Sequence, residues 1–286
     1  MPDAPHPERV PVGVDPTRAS IARVYDAFLG GDDNYEIDRE VMNGVLKVAP
    51  EASDMANENR GFLIRACRFL AYQTGVTQYL DCGSGLPTAE NVHQVVQRFH
   101  PEARVIYVDN DPVVLAHGRA LLEENEFTHF ISADIFNPRE ILENEVVRKH
   151  LDFSEPVAFF HFGTLHHYEG ARDQPAKLMQ DYIDALPSGS YVGITHFLDP
   201  ENEDSDTARK MEHMFRHSPM GSGTFRTMSE IEELFDGLEV LEPGVTICAD
   251  WWPDGPRLKE LNVAQRCIAG GVARKPKRLA TVQTPQ

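Results

Sequence analysis

From residue 76 onward, short apolar runs alternate with helical patterns, and this alternation constrains the fold more than any other feature. The runs fall at 77–82, 104–109, 127–133, 156–162 and 189–197, and helical periodicity fills the gaps near 88–99, 112–124, 138–149 and 173–186. Parallel neighbours in a sheet need crossover connections, and helices supply them. The pattern therefore predicts an α/β domain with a doubly wound, mainly parallel sheet covered on both faces. A helix over 228–236, opened by Thr227 or Ser229, precedes two further strands at 238–241 and 264–272. These bring the expected sheet to seven strands. The polar stretch 199–226, glycine-rich at its end, reads as an insertion or lid.

The first 75 residues have a different texture. Residues 1–15 are proline-rich, lack an apolar core segment and read as a disordered leader, not a signal peptide. Ile21, Val24, Tyr25 and Phe28 then recur at helical spacing until Gly30-Gly31 stops the run. Helical stretches at 36–48 and 53–74 follow, the second with Phe62, Leu63, Ala66, Phe69 and Leu70 on one face. Such helices do not bury their apolar faces alone. The expected organisation is a leader (1–15), an N-terminal helical cap (16–75), the α/β domain (76–275) and a flexible tail (276–286).

Composition narrows the partners. Of 286 residues, 27 are Lys or Arg and 45 are Asp or Glu, a net charge of −18. A polyanion is repelled by nucleic-acid backbones and anionic membranes, so neither is expected as a partner. The four cysteines are dispersed, with no C-x-x-C pair, which suits neither a disulfide framework nor a zinc site and favours the cytoplasm. No apolar run approaches the ~20 residues of a membrane-spanning helix.

Three strand ends carry the chemistry. The first is Asp81-Cys82-Gly83-Ser84-Gly85-Leu86-Pro87-Thr88. Its glycines allow a tight turn and let a ligand approach the main chain, and a following helix offers free N–H groups. A dinucleotide fingerprint requires Gly or Ala where Thr88 stands. The acid two residues before the first glycine resembles instead motif I of class I methyltransferases. That resemblance implies that Asp81 holds the ammonium end of S-adenosylmethionine, with Gly83, Ser84 and Gly85 forming the turn beneath it. The second strand end is Asp109-Asn110-Asp111-Pro112. An acid there can accept both ribose hydroxyls of an adenosine. Asp109, with Asn110 beside it, is the ligand candidate, and Asp111 reads as a helix cap ahead of Pro112. At the third end, Asp134 can accept from an adenine amino group, with Ile135 and Phe136 packing on the base.

The chain resembles the actinobacterial S-adenosylmethionine-dependent methyltransferases of methyltransferase family 19, formerly a domain of unknown function. The resemblance spans about residues 16–275. It rests on Ser20-Ile21-Ala22-Arg23-Val24-Tyr25-Asp26, Leu29-Gly30-Gly31-Asp32-Asp33-Asn34-Tyr35, the first two strand ends, and Asp236-Gly237-Leu238-Glu239-Val240-Leu241-Glu242-Pro243-Gly244. It implies a class I methyltransferase (Rossmann-like) fold of six parallel strands and one antiparallel strand, S-adenosylmethionine as cofactor, and a small-molecule acceptor. The Gly30–Tyr35 turn is expected to fold over the cofactor, bringing Asn34 and the faces of Tyr25 and Tyr35 toward the sulfonium. A helical hairpin with its aromatics in the core is the competing reading.

For chemistry at the acceptor, His166 is the candidate base and Tyr25 a second catalytic candidate. His161 and His167 flank His166, and His196 follows the next strand, but their spacing defines no metal site. Trp251-Trp252-Pro253 reads as cover for a sheet edge. Methyl transfer draws mainly on in-line positioning, so it does not require a base. Two other functions use similar residues: a non-catalytic S-adenosylmethionine-binding regulator, and an NAD-dependent oxidoreductase, which Pro87-Thr88 argues against.

Overall fold

The computed structural model describes residues 14–87, 90–122 and 125–277. Most of the expected leader, Thr88 and most of the expected tail therefore lie outside the described residues. In chain order the strands are β1 (Gln78–Cys82), β2 (Arg104–Val108), β3 (Thr128–Ile131), β4 (Ala158–Phe162), β5 (Tyr191–Phe197), β6 (Glu239–Val240), β7 (Thr246–Ile247) and β8 (Ile268–Arg274). The helices are α1 (Ile21–Phe28), α2 (Glu36–Leu46), α3 (Ala52–Gln73), α4 (Val92–Val96), α5 (Pro112–Leu122), α6 (Pro138–Leu142), α7 (Glu145–His150), α8 (Gln174–Ala185), α9 (Ser205–Arg216), α10 (Met228–Glu232) and α11 (Val263–Arg266).

The sheet runs β3-β2-β1-β4-β5-β8-β6, with β7 also paired to β8. Strands β1 to β5 pair in parallel, and β8 is antiparallel to β5, β6 and β7. The sheet thus has eight strands among the described residues, not the expected seven. The extra one arises because the last edge is split. Strand β6 pairs with Arg274 and Ala273, and β7 pairs with Gly270 and Ala269, on the same side of β8. A turn closed by the Gly244 N–H on the Leu241 carbonyl (2.8 Å) separates them. Pro243 within that turn has no N–H to offer a ladder.

The strand residues sort by parity. Tyr79, Val105, Tyr107, Phe160 and Phe162 join one core cluster, while Leu80, Ile106, Val108 and Phe159 join another. This is the two-residue period of a sheet buried on both faces. Helix α3 packs into the first cluster, with Phe62 edge-on to Phe162 at 5.6 Å. Trp251 covers the same helix, 4.9 Å from Phe62 and 5.8 Å from Phe69.

Three local boundaries differ from the sequence reading. Residues 264–266, expected in a strand, belong to the helix α11, because Asn262 and Gln265 cap each other reciprocally (3.0 and 3.1 Å). The helical pattern 138–149 breaks into α6 and α7 at Asn144, whose side chain caps the Val146 N–H at 2.9 Å. The segment 199–226 contains α9, which packs its apolar stripe against α2.

Candidate functional site

The carboxyl edge of the sheet gathers the three acids. The Gly83 and Ser84 N–H groups both donate to the Val108 carbonyl (2.8 and 3.2 Å), which lays the first turn onto the end of β2. Asp109 then accepts from the Gly85 N–H on one oxygen and the Asp111 N–H on the other, each at 2.9 Å. Gly83 and Gly85 have φ of +77° and +65°, conformations that favour glycine. A Cβ on Gly83 would lie 2.4 Å from Thr164 Cγ2, whereas one on Gly85 would meet nothing within 4 Å among the described residues. Gly83 therefore serves close packing, and Gly85 keeps an open space.

That space belongs to a cavity of about 510 Å³, within the ~300–1,000 Å³ typical of small-molecule sites. Asp81, Gly83, Ser84, Gly85, Asp109, Asn110, Asp134, Ile135, Tyr25 and His166 all line it. Asp81 is 4% exposed, yet among the described residues no hydrogen bond reaches its carboxylate. Burial pushes its pKa up to about 7; the Arg60 guanidinium opposes this shift and the Asp109 carboxylate adds to it. Asp109 is pushed up to about 6, chiefly by burial, with its backbone hydrogen bonds opposing. A cation placed beside these two carboxyls recovers the attraction that burial took from water. The Ser84 hydroxyl is also buried without a partner among the described residues. Asp134 is exposed and accepts from the Phe136 N–H at 2.9 Å, holding its own turn.

The N-terminal segment closes the cavity differently from the expectation. Asn34 and Tyr35 are not among the lining residues. The Asn34 amide donates to the Asp26 carboxylate and the Gly31 carbonyl, both at 2.8 Å, and the Tyr35 ring lies 5.2 Å from the Arg23 guanidinium carbon. The Asp33 N–H also donates to Asp26 (3.0 Å), and Asp33 faces His117 of α5 at 3.4 Å. The polar residues of this turn therefore build and dock the turn itself. The wall of the cavity is α1, through Ala22, Tyr25 and Phe28. Tyr25 donates to the Ala56 carbonyl (3.1 Å) and accepts from the Asn59 amide (3.0 Å), and Asn59 in turn accepts from the Thr195 hydroxyl. Burial raises the Tyr25 pKa, which keeps its hydroxyl protonated.

The histidines divide. His161 projects from the opposite face of β4, with Nδ1 2.7 Å from the Thr164 hydroxyl and its ring against Tyr182. His196 is bound on both nitrogens, by the Phe197 carbonyl and the Arg226 guanidinium (each 2.8 Å), and does not line the cavity. His166 and His167 do. Burial holds His166 well below the usual histidine range and lowers His167 to about 3, so both are neutral rings. Sequence reasoning missed Asn59, Arg60, Phe197 and Phe215 as lining residues. Asn59 had left a signal: an amide at helical spacing between Met55 and Phe62 on an otherwise apolar face.

The sequence pattern of the S-adenosyl methyltransferase family matches residues 7–276. This chain belongs to that family. It is an S-adenosylmethionine-dependent methyltransferase of class I fold. A crystal structure of a proposed methyltransferase from Thermobifida fusca is 41% identical, covers 94% of this chain and all of its own, and superposes with a TM-score of 0.88. A DUF574 family protein from Streptomyces avermitilis is 32% identical over 91% of this chain and 98% of its own, with a TM-score of 0.84. No curated protein matches the chain.

Proposed function

We propose that this methyltransferase holds S-adenosylmethionine along the carboxyl edge of β1–β3 and transfers its methyl group to a small molecule in the same cavity. The observation that carries the reading is the buried Asp81 carboxylate, which faces the cavity without a hydrogen-bond partner among the described residues. It would take the cofactor's ammonium. Asp109, already fixed by two N–H donors, would receive the ribose hydroxyls on its remaining lone pairs. Ile135, Asn110 and the exposed Asp134 would surround the base, and the ring of Tyr25 the reacting end. The bound cofactor supplies an electrophilic methyl on a sulfonium. The protein's part is to align, to exclude water through α1, and to avoid stabilising the charge that the transfer removes.

The charge of −18 supports an acceptor other than nucleic acid. No helix among the described residues is long and apolar enough to cross a membrane, and all four cysteines are free and buried, which supports a cytoplasmic setting. Both relatives are actinobacterial, which supports the same source for this chain.

Calorimetric titration with S-adenosylmethionine, S-adenosylhomocysteine and NAD tests the site. Micromolar binding of the two sulfur compounds and none of NAD is expected, with the Asp109→Ala variant weakened by about 1–3 kcal/mol. Absence of binding to both sulfur compounds would remove the assignment.

A further inference from the structure

The cavity is electrostatically divided. Among the described residues, its charged lining residues are Asp81, Asp109, Asp111, Asp134 and Arg60. The four acids lie at the ends of β1, β2 and β3. Arg60 lies with them, acting on Asp81 and donating to the Glu90 carbonyl at 2.9 Å.

The opposite half is built from other elements. Phe28 of α1 meets Phe215 of α9 edge-on at 6.1 Å. Phe215 stacks on Phe197 at 5.4 Å, and Phe197 stacks on His166 at 3.5 Å with an angle of 11°. Phe162 and Met220 complete the wall. Two imidazoles, His166 and His167, also line this side. His166 Nδ1 accepts from the Phe197 N–H at 3.4 Å, which places the ring proton on Nε2. His167 Nδ1 lies 3.0 Å from the Ser222 hydroxyl. Neither ring carries charge, since burial disfavours the imidazolium in both.

We infer that the methyl acceptor is an uncharged, largely apolar ring compound, seated against the Phe28–Phe215–Phe197 wall with a hydroxyl at His166 and His167. This rests on the cofactor reading above. A carboxylate, phosphate or ammonium on the acceptor would lose its hydration in this half and find no opposite charge. A hydroxyl meets one ring whose Nε2–H donates, with the second imidazole beside it at 4.4 Å between ring centroids.

Three probes of one shape separate the possibilities: 2-naphthol, 2-naphthoate and 2-naphthylmethylammonium, titrated at neutral pH into protein saturated with S-adenosylhomocysteine. The neutral probe is expected to bind at least about tenfold more tightly than either ion. Met220→Lys, a change at a half-buried position, is expected to weaken 2-naphthol and to favour 2-naphthoate, each measured on protein saturated with S-adenosylhomocysteine. Equal or tighter binding of a charged probe overturns the inference. So does failure of all three probes on protein that has bound S-adenosylhomocysteine. If S-adenosylhomocysteine itself does not bind, the cofactor reading fails first and the inference falls with it.

Discussion

Ser20 and Asp111 cap two different helices and are hydrogen-bonded to each other, the serine hydroxyl donating to the carboxylate. Ser20 accepts from the Arg23 N–H at the start of α1, and Asp111 from the Val113 N–H (2.7 Å) at the start of α5. Next to them, the Ser20 N–H donates to the buried Asp38 carboxylate (3.0 Å), which also receives the Arg23 guanidinium at 2.8 Å. The N-terminal helices are thereby fastened to the loop that carries Asp109. Ser20→Ala should cost about 1–2 kcal/mol of stability. It should also accelerate dissociation of S-adenosylhomocysteine several-fold, read by stopped-flow fluorescence. An unchanged dissociation rate would show that α1 does not gate the cavity.

Asp81 links stability to binding. Its folded pKa of about 7 lies above the ~3.9 of an unfolded aspartate. Between those values the native state holds more protons than the unfolded chain, so this group's contribution to stability falls as pH rises from about 4 to about 7. Asp81→Asn removes that loss. The variant should melt roughly 2–6 °C above the native protein at pH 8, equivalent to about 1–2 kcal/mol, and the difference should vanish near pH 4. The same variant should bind S-adenosylmethionine more weakly, because its amide cannot pair with an ammonium. Thermal melts across pH with parallel titrations check both signs.

The two glycines of the first turn should part company. Gly83→Ala drives a Cβ into the Thr164 side chain at a positive φ, and a loss of about 2–4 kcal/mol is expected in urea unfolding. Gly85→Ala meets open space, and only backbone strain of about 1–2 kcal/mol is expected. Its methyl group would instead occupy the room proposed for the cofactor, so affinity for S-adenosylhomocysteine should fall more than in proportion to stability.

Tyr25→Phe distinguishes a tether from a catalyst. The variant loses the hydrogen bonds to Ala56 and Asn59, which should lower stability by about 1–2 kcal/mol. Its ring is retained, so S-adenosylhomocysteine affinity should change by less than about threefold. A larger change would return the hydroxyl to the binding site.

The parts of the site legible in the sequence were those set by local geometry. An acid at a strand end, followed by glycine or by a cap-and-proline helix start, can be read residue by residue. That pattern placed Asp81, Gly83, Gly85 and Asp109 at the strand ends, because the strand period and the turn requirement act over a few residues, while the cofactor role of Asp81 came from the family resemblance. The Gly30–Tyr35 turn was legible as special but not in its role. Asp26 satisfies Asp33 and Asn34 across the turn, and a Cβ on Gly31 would lie 2.0 Å from an Asp26 carboxylate oxygen. Those residue types are explained by the loop's own hydrogen bonds.

The sequence by itself determined the alternating architecture, the acidic carboxyl edge and the family, since each depends on neighbours along the chain. Only the tertiary structure decided which side chains share the cavity. Asn59 on α3 meets Tyr25 on α1 and Thr195 on β5, and Phe215 on α9 meets Phe197 on β5 and Phe28 on α1. His166 faces the cavity while His161, on the preceding strand, lies beneath the sheet. Such meetings follow from how whole helices pack to bury their apolar faces, and no local spacing encodes that long-range balance of burial and hydrogen-bond satisfaction.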